Sequence, residues 1–318
     1  MATVSPSRPG IYTGEPSADM RTALAAEARL RAPYPEPKNL PEERSLRAKI
    51  CGYWIEGAPE PFRTYELIAE GNGGPIRMRA YRATSAERAP VILQIHGGGW
   101  VFGSIEETEP LSRHLAEMTG AVVVSTSYRL APEHKFPAGL DDCDAALRWV
   151  LANVGGIGGD PTRIAVSGGS AGANLAAAVA LRRPDRIKAA LLFYGVLGND
   201  FDTPSYLRYG DGSYGLSRER MQAFFDRYVG EGHDRSDPFV APLHGNLVTL
   251  PPAWVCAAEC DVLRDDSTAF YEKLKRLRSG DQFALAEGCT HGFINRYRHL
   301  PAAKHITASA AEFLKAKV

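Results

Sequence analysis

The stretch RIAVSGGSAGANLAAA, residues 163–178, carries a single hydroxyl among small residues, where an apolar strand runs into a helical pattern. A strand feeding a helix through Gly-x-Ser-x-Gly holds the serine in a strained turn with its oxygen exposed. Small residues are needed two places to either side, because the backbones nearly touch there. Ser170 in such a turn is a candidate nucleophile for acyl transfer. The same residues also suit a tight turn or a dinucleotide loop with an incidental serine. Against the dinucleotide loop, Gly168, Gly169 and Gly172 give G-G-x-x-G rather than G-x-G-x-x-G. No acidic residue closes a second strand about 20 residues on, as a ribose site requires.

A serine nucleophile needs partners, and the chain offers them in order. Acyl transfer passes through an oxyanion, which backbone N–H groups stabilise where no side chain obstructs them. The stretch QIHGGGWVFGS ends an earlier strand and supplies Gly97-Gly98-Gly99 after His96. Gly98 and Gly99, with Ala171 from the other side, are the expected oxyanion donors. A triple glycine elsewhere reads as a flexible loop; directly after a buried-type strand it reads as a site. Acid and then histidine should follow the serine. Of the histidines downstream, His233 and His244 stand in polar linker sequence, and His299 and His305 fall in the last helical region. His291, in EGCTHGFIN, follows the final strand and is the expected base; Asp261, in AAECDVLRDD, follows another strand and is the expected acid. Asp265 and Asp266 suit the first turn of the next helix, and Glu259 belongs to the strand.

Elements must position these groups. From residue 63 onward, RTYELIAEG and PIRMRAYRA around Asn72-Gly73-Gly74 read as a hairpin. Short Val/Ile-rich strands then alternate with helices near 108–118, 137–153, after Ser170, and at 264–278. That pattern predicts an α/β fold, a doubly wound and mostly parallel sheet with helices on both faces. Residues 1–62 are proline-rich and contain two helical patches, 19–31 and one opening at Pro41-Glu42-Glu43. The alternation breaks again at 198–236. The expected organisation is N-terminal cap helices at 1–62, a catalytic domain at 63–197 and 237–318, and a cap insertion at 198–236.

Composition narrows the partners. Lys plus Arg and Asp plus Glu are both 37 in 318 residues, so neither nucleic acid nor a membrane surface is expected. The N-terminal stretch has no apolar leader core, and AALLFYGVLG is about half the ~20 residues a membrane helix needs. Five cysteines, an odd number, suit reduced thiols in a cytoplasm. Their spacing suggests neither a zinc site nor any other metal.

The stretches HGGGW, SYRLAPEHKFPAGLDD, VSGGSAGANLAAA, YGLSRERMQAFFDRYV, SDPFVAPL and HGF resemble the bacterial hormone-sensitive lipase family of α/β-hydrolases. The likeness runs from about 75 to 315. It implies hydrolysis of carboxylic esters by a Ser170-Asp261-His291 triad, with Gly98, Gly99 and Ala171 as oxyanion hole. It also implies a cap made from the N-terminal helices and the insertion. The chain departs from many members at Gly169, where they have Asp, and at Ala173 and Val262, where they often have Gly and Pro. The expectation is a cytoplasmic serine esterase for short-acyl, small-molecule esters, without cofactor or metal and with homodimerisation open. An amidase, formamidase or carbamate hydrolase would use the same triad. A small-molecule receptor on a dead hydrolase fold would have lost the triad histidine, as in the plant gibberellin receptors that resemble this family. Aromatics crowd residues 193–228: helical spacing gives Phe224, Phe225 and Tyr228 mostly to the cap core, Tyr194 is expected to touch substrate, and Trp100, beside the glycines, either limits the acyl chain at the substrate site or equally packs away in core.

Overall fold

Along the central strands successive side chains point to opposite faces, and the sequence fills both faces with apolar residues. Val91, Leu93, Ile95, Val124, Ile164 and Val166 join one core; Ile92, Val123, Ala165, Leu191 and Trp254 join the other. A strand buried on both sides belongs in a parallel sheet covered by helices. The computed structural model describes residues 14–318 and has this arrangement. Residues 1–13, on which parts of the leader reading and of the N-terminal appendage fall, lie outside the described residues.

Eight strands form one sheet: β1 (Arg63–Gly71), β2 (Gly74–Arg82), β3 (Ala89–Ile95), β4 (Val122–Thr126), β5 (Gly159–Gly169), β6 (Ala189–Phe193), β7 (Ala253–Cys260) and β8 (Gln282–Thr290). Their order is β1-β2-β4-β3-β5-β6-β7-β8. The expected hairpin, β1 with β2, is antiparallel and β2 also pairs antiparallel with β4; every other pairing is parallel. The order reverses direction at β3–β5, the place where α/β sheets open a crevice at the carboxyl ends of their strands.

Helices α5 (Ala138–Asn153), α6 (Ala171–Arg182) and α9 (Arg264–Leu277) pack Leu140, Leu147, Leu175, Phe270 and Leu274 into the first core. Helices α4 (Glu109–Thr119) and α10 (Pro301–Lys315) cover the other with Leu111, Leu115, Phe313 and Leu314. The appendage at the N-terminus forms α1 (Ala18–Arg31), α2 (Leu40–Ile50) and the short α3 (Gly52–Ile55). Ser17 caps α1 by accepting from Met20 N–H at 3.1 Å. Asn39 caps α2 through Glu42 N–H at 3.0 Å, so the helix opens at Leu40, one residue before the opening read from the sequence. The segment at 198–236 contributes α7 (Pro204–Tyr209) and α8 (Arg218–Val229), the latter capped by Ser217. No helix among the described residues is long and apolar enough to cross a membrane.

Candidate active site

The turn between β5 and α6 is as tight as its composition demands. Ser170 has φ 59° and ψ −125°, a strained conformation for a residue with a Cβ. A Cβ at Gly168 would stand 2.3 Å from the backbone of Gly172, and one at Gly172 would stand 2.2 Å from Ile95 O. Nothing larger than glycine fits either place. The turn is held from outside by Ser170 N–H, which donates to Phe193 O at 2.9 Å. Asn174 anchors α6 by donating to Val196 O and Val240 O, both at 2.8 Å.

Ser170, Asp261 and His291 end or follow β5, β7 and β8, so the parallel sheet delivers them to one edge. His291 Nε2 stands 2.9 Å from Ser170 Oγ, and His291 Nδ1 stands 2.7 Å from Asp261 Oδ2. Asp261 is 1% exposed, and its other oxygen accepts from Leu263 N–H at 3.1 Å. A buried carboxylate so fixed holds the imidazole with its free nitrogen toward the hydroxyl. Tyr194 meets the His291 ring edge-on at 5.1 Å between centroids. The relay can take a proton from Ser170 and return it elsewhere.

The glycine loop faces this relay. Gly98 and Gly99 have φ +117° and +62°, and Gly98 O accepts from Val101 and Phe102 N–H. Among the described residues neither Gly98 N–H nor Gly99 N–H has a protein acceptor. Ala171 is the first residue of α6, where a backbone N–H has no intrahelical partner and the helix end is partially positive. Below the loop His96 stacks on Tyr128 at 4.2 Å, and its Nδ1–H donates to Gly97 O at 2.9 Å. Burial pushes the His96 pKa down, which favours the neutral ring.

A cleft of about 340 Å³ opens over Ser170, with Gly97, Gly98, Gly99, Tyr194 and His291 on its floor and α1, α2 and α8 supplying its walls. Tyr194 lines it. Trp100 does not: it is 1% exposed and lies in the core. Its φ of +58° turns the chain after Gly99, and the indole stacks on Tyr228 at 4.3 Å with 1° between planes. From the aromatic-rich segment Phe225 and Tyr228 fill core, whereas Phe224 and Tyr214 face the cleft. At position 169, where many family members have Asp, a side chain would run toward the Tyr194 hydroxyl, 3.0 Å from the Cβ position.

The cleft also contains charged residues that no motif announced. Glu27, Arg31, Arg47, Glu107, Arg220 and Arg296 line it. Arg47 is hydrogen-bonded to Glu107, and Arg296 to Glu27. Glu27, Arg31 and Arg47 come from the N-terminal appendage and Arg220 from the stretch YGLSRERMQAFFDRYV, and neither segment showed which of its charges would face the cleft.

Known proteins resemble this chain in sequence and fold. Residues 92–295 match the model of a family described as having the alpha/beta hydrolase fold. Carboxylesterase NlhH of Mycobacterium tuberculosis is 36% identical over 300 residues, 91% of this chain and 88% of that protein. An ethyl acetate hydrolase of Pseudomonas putida is 33% identical over 247 residues, 74% of this chain and 77% of its own. A hyperthermophilic esterase from the archaeon Pyrobaculum calidifontis superposes with a TM-score of 0.87 at 34% identity, covering 95% of this chain and 98% of the other. The chain belongs to the α/β-hydrolase fold family, and its resemblance to the hormone-sensitive lipase branch is borne out.

Proposed function

We propose that this protein is a serine carboxylesterase that cleaves short-acyl esters of small molecules through Ser170, His291 and Asp261. The observation that carries the reading is the unbroken relay from Ser170 Oγ to His291 Nε2 at 2.9 Å and from His291 Nδ1 to Asp261 Oδ2 at 2.7 Å. Relatives named carboxylesterase and esterase support the ester as substrate class.

In this reading His291 takes the Ser170 proton as the serine oxygen attacks the ester carbonyl. The C=O electron pair moves onto oxygen, and the N–H groups of Gly98, Gly99 and Ala171 stabilise that oxyanion more than the ground-state carbonyl. As the C–O bond of the tetrahedral intermediate breaks, His291 gives its proton to the leaving alcohol. Water then repeats the sequence on the acyl-enzyme, releasing the acid and restoring Ser170. Asp261 orients the ring and stabilises the imidazolium.

Ser170→Ala tests the assignment. Hydrolysis of 4-nitrophenyl acetate should fall about 1,000-fold or more, leaving the residual rate that binding and the oxyanion donors provide. The same substitution should abolish covalent labelling by a fluorophosphonate. A variant that kept a tenth of wild-type kcat, with its circular dichroism spectrum unchanged, would show that Ser170 is not the nucleophile.

A further inference from the structure

The cleft wall has more guanidinium groups than carboxylates to pair them. Arg31 reaches Glu43 at 2.8 Å and Glu27 at 3.8 Å. Arg47 is committed to Glu107, and Arg296 to Glu27. Arg220 is left over: among the described residues its guanidinium makes no ion pair, although it lines the cleft. It is held instead over two rings, 5.4 Å from the centroid of Phe224 and 5.9 Å from that of Phe102. Both faces are apolar platforms, and a guanidinium so supported keeps N–H donors free for a planar, anionic partner.

Arg220 is also close to the chemistry. The Phe224 ring lies against Gly99, near enough that a Cβ on Gly99 would stand 2.4 Å from it. Arg220 is therefore one ring beyond the glycine loop, in the first turn of α8 and at the rim of the cleft. Its surroundings reinforce the imbalance. Desolvation and the neighbouring charge of Arg47 lower its pKa, and Arg31 and Arg227 add to that, with Glu43 opposing them. A guanidinium stays protonated regardless. What the neighbours create is a locally positive field that a substrate anion would relieve.

Resting on the esterase reading above, we propose that Arg220 selects esters carrying a carboxylate a few carbons from the scissile bond, such as half-esters of dicarboxylic acids. The ester carbonyl sits at Ser170 while the distal carboxylate accepts from the Arg220 guanidinium. The arrangement discriminates by charge: a neutral ester of the same size fills the cleft but leaves Arg220 without its partner.

The test compares ethyl half-esters of succinic, glutaric and adipic acid with the neutral primary amides of the same half-esters, following acid release on a pH-stat. The readout is the ratio of kcat/KM for the charged to the neutral member of each pair. Arg220→Gln should lower that ratio about fivefold for at least one chain length, and Arg220→Lys should restore part of it. In the wild type the ratio should shrink as salt rises through 0.5 M, because the interaction is partly screened at a cleft rim. A ratio that Arg220→Gln leaves within twofold of wild type at every chain length overturns the proposal, as does a salt-independent ratio. A wild-type protein that hydrolyses 4-nitrophenyl acetate but no half-ester also overturns the proposal, whereas one that hydrolyses neither kind of ester overturns the esterase reading instead.

Discussion

At Ser170 the constraints on backbone and packing come from the residues immediately around it. The strained φ of the serine and the two backbone approaches all fall within five residues and one neighbouring strand. Those constraints exclude larger residues, so they write themselves into the sequence as glycine. Gly172 shows the strength of the constraint. Its substitution by Ala would drive a methyl to 2.2 Å from Ile95 O, a backbone atom at the carboxyl end of central strand β3 that cannot swing aside as a side chain could. Overpacking of this kind costs about 1–3 kcal/mol, and more where backbone must move. Gly172→Ala should therefore lower the urea midpoint of unfolding and also displace Ser170; a wild-type midpoint would show that the turn has slack. Trp100 is the opposite case. It stands next in sequence to Gly99, yet its positive φ sends the indole into core against Tyr228. Sequence adjacency carried no information about which side of the loop it would occupy.

At the scale of elements, α9 does more than cover the sheet. Asp266 in its first turn is 4% exposed and accepts from Leu197 N–H at 3.2 Å and Gly198 N–H at 3.0 Å, tying the helix to the chain leaving β6. Burial pushes its carboxyl up to about 7; the two N–H groups pull the other way, and the charges of Asp261 and Asp265 add to the rise. In the unfolded chain the same carboxyl titrates near 3.8. Between those values the folded state holds a proton that the unfolded state has lost. This contribution to stability is full below about pH 4 and declines as pH rises toward 7. Asp266→Asn keeps an acceptor for both N–H groups and removes the titration. Its stability relative to wild type should accordingly improve between pH 5 and pH 8, by up to a few kcal/mol; a difference that stays constant across that range would refute the assignment. The sequence identified Asp265 and Asp266 as first-turn acids, and they are. It gave no sign that one of them is buried, since Leu197 and Gly198 are some seventy residues away. Strand and helix positions were legible to within a few residues because period-two and helical patterns repeat. Pairing between distant segments leaves no such repeat.

The whole molecule sets the size of what can enter. Segments far apart in the chain close over the carboxyl end of the sheet, α1 to α3 from one side and α7 and α8 from the other. Ion pairs stitch the N-terminal segment to the scaffold: Arg44 with Glu133 at 2.8 Å, Arg47 with Glu107, Arg296 with Glu27 and Arg298 with Glu56. Several are exposed pairs worth little singly, and none was readable in advance, because their partners stand 60 to 269 positions apart. The resulting cleft, about 340 Å³, is near the lower end of ordinary ligand pockets. Its walls mix Met221, Phe224 and Trp54 with charged residues, unlike the broad apolar face that a lipase presents when a lid opens. Each methylene that fits such a wall adds up to about 0.8 kcal/mol, and one that does not fit costs about 1 kcal/mol or more in strain. Across 4-nitrophenyl esters from acetate to palmitate, kcat/KM should therefore peak among the shorter chains and decline beyond them. No jump in rate should accompany the appearance of micelles, since the cleft has no large apolar face to expose. An optimum at ten carbons or longer, or activation above the micelle threshold, would replace the esterase reading with that of a lipase.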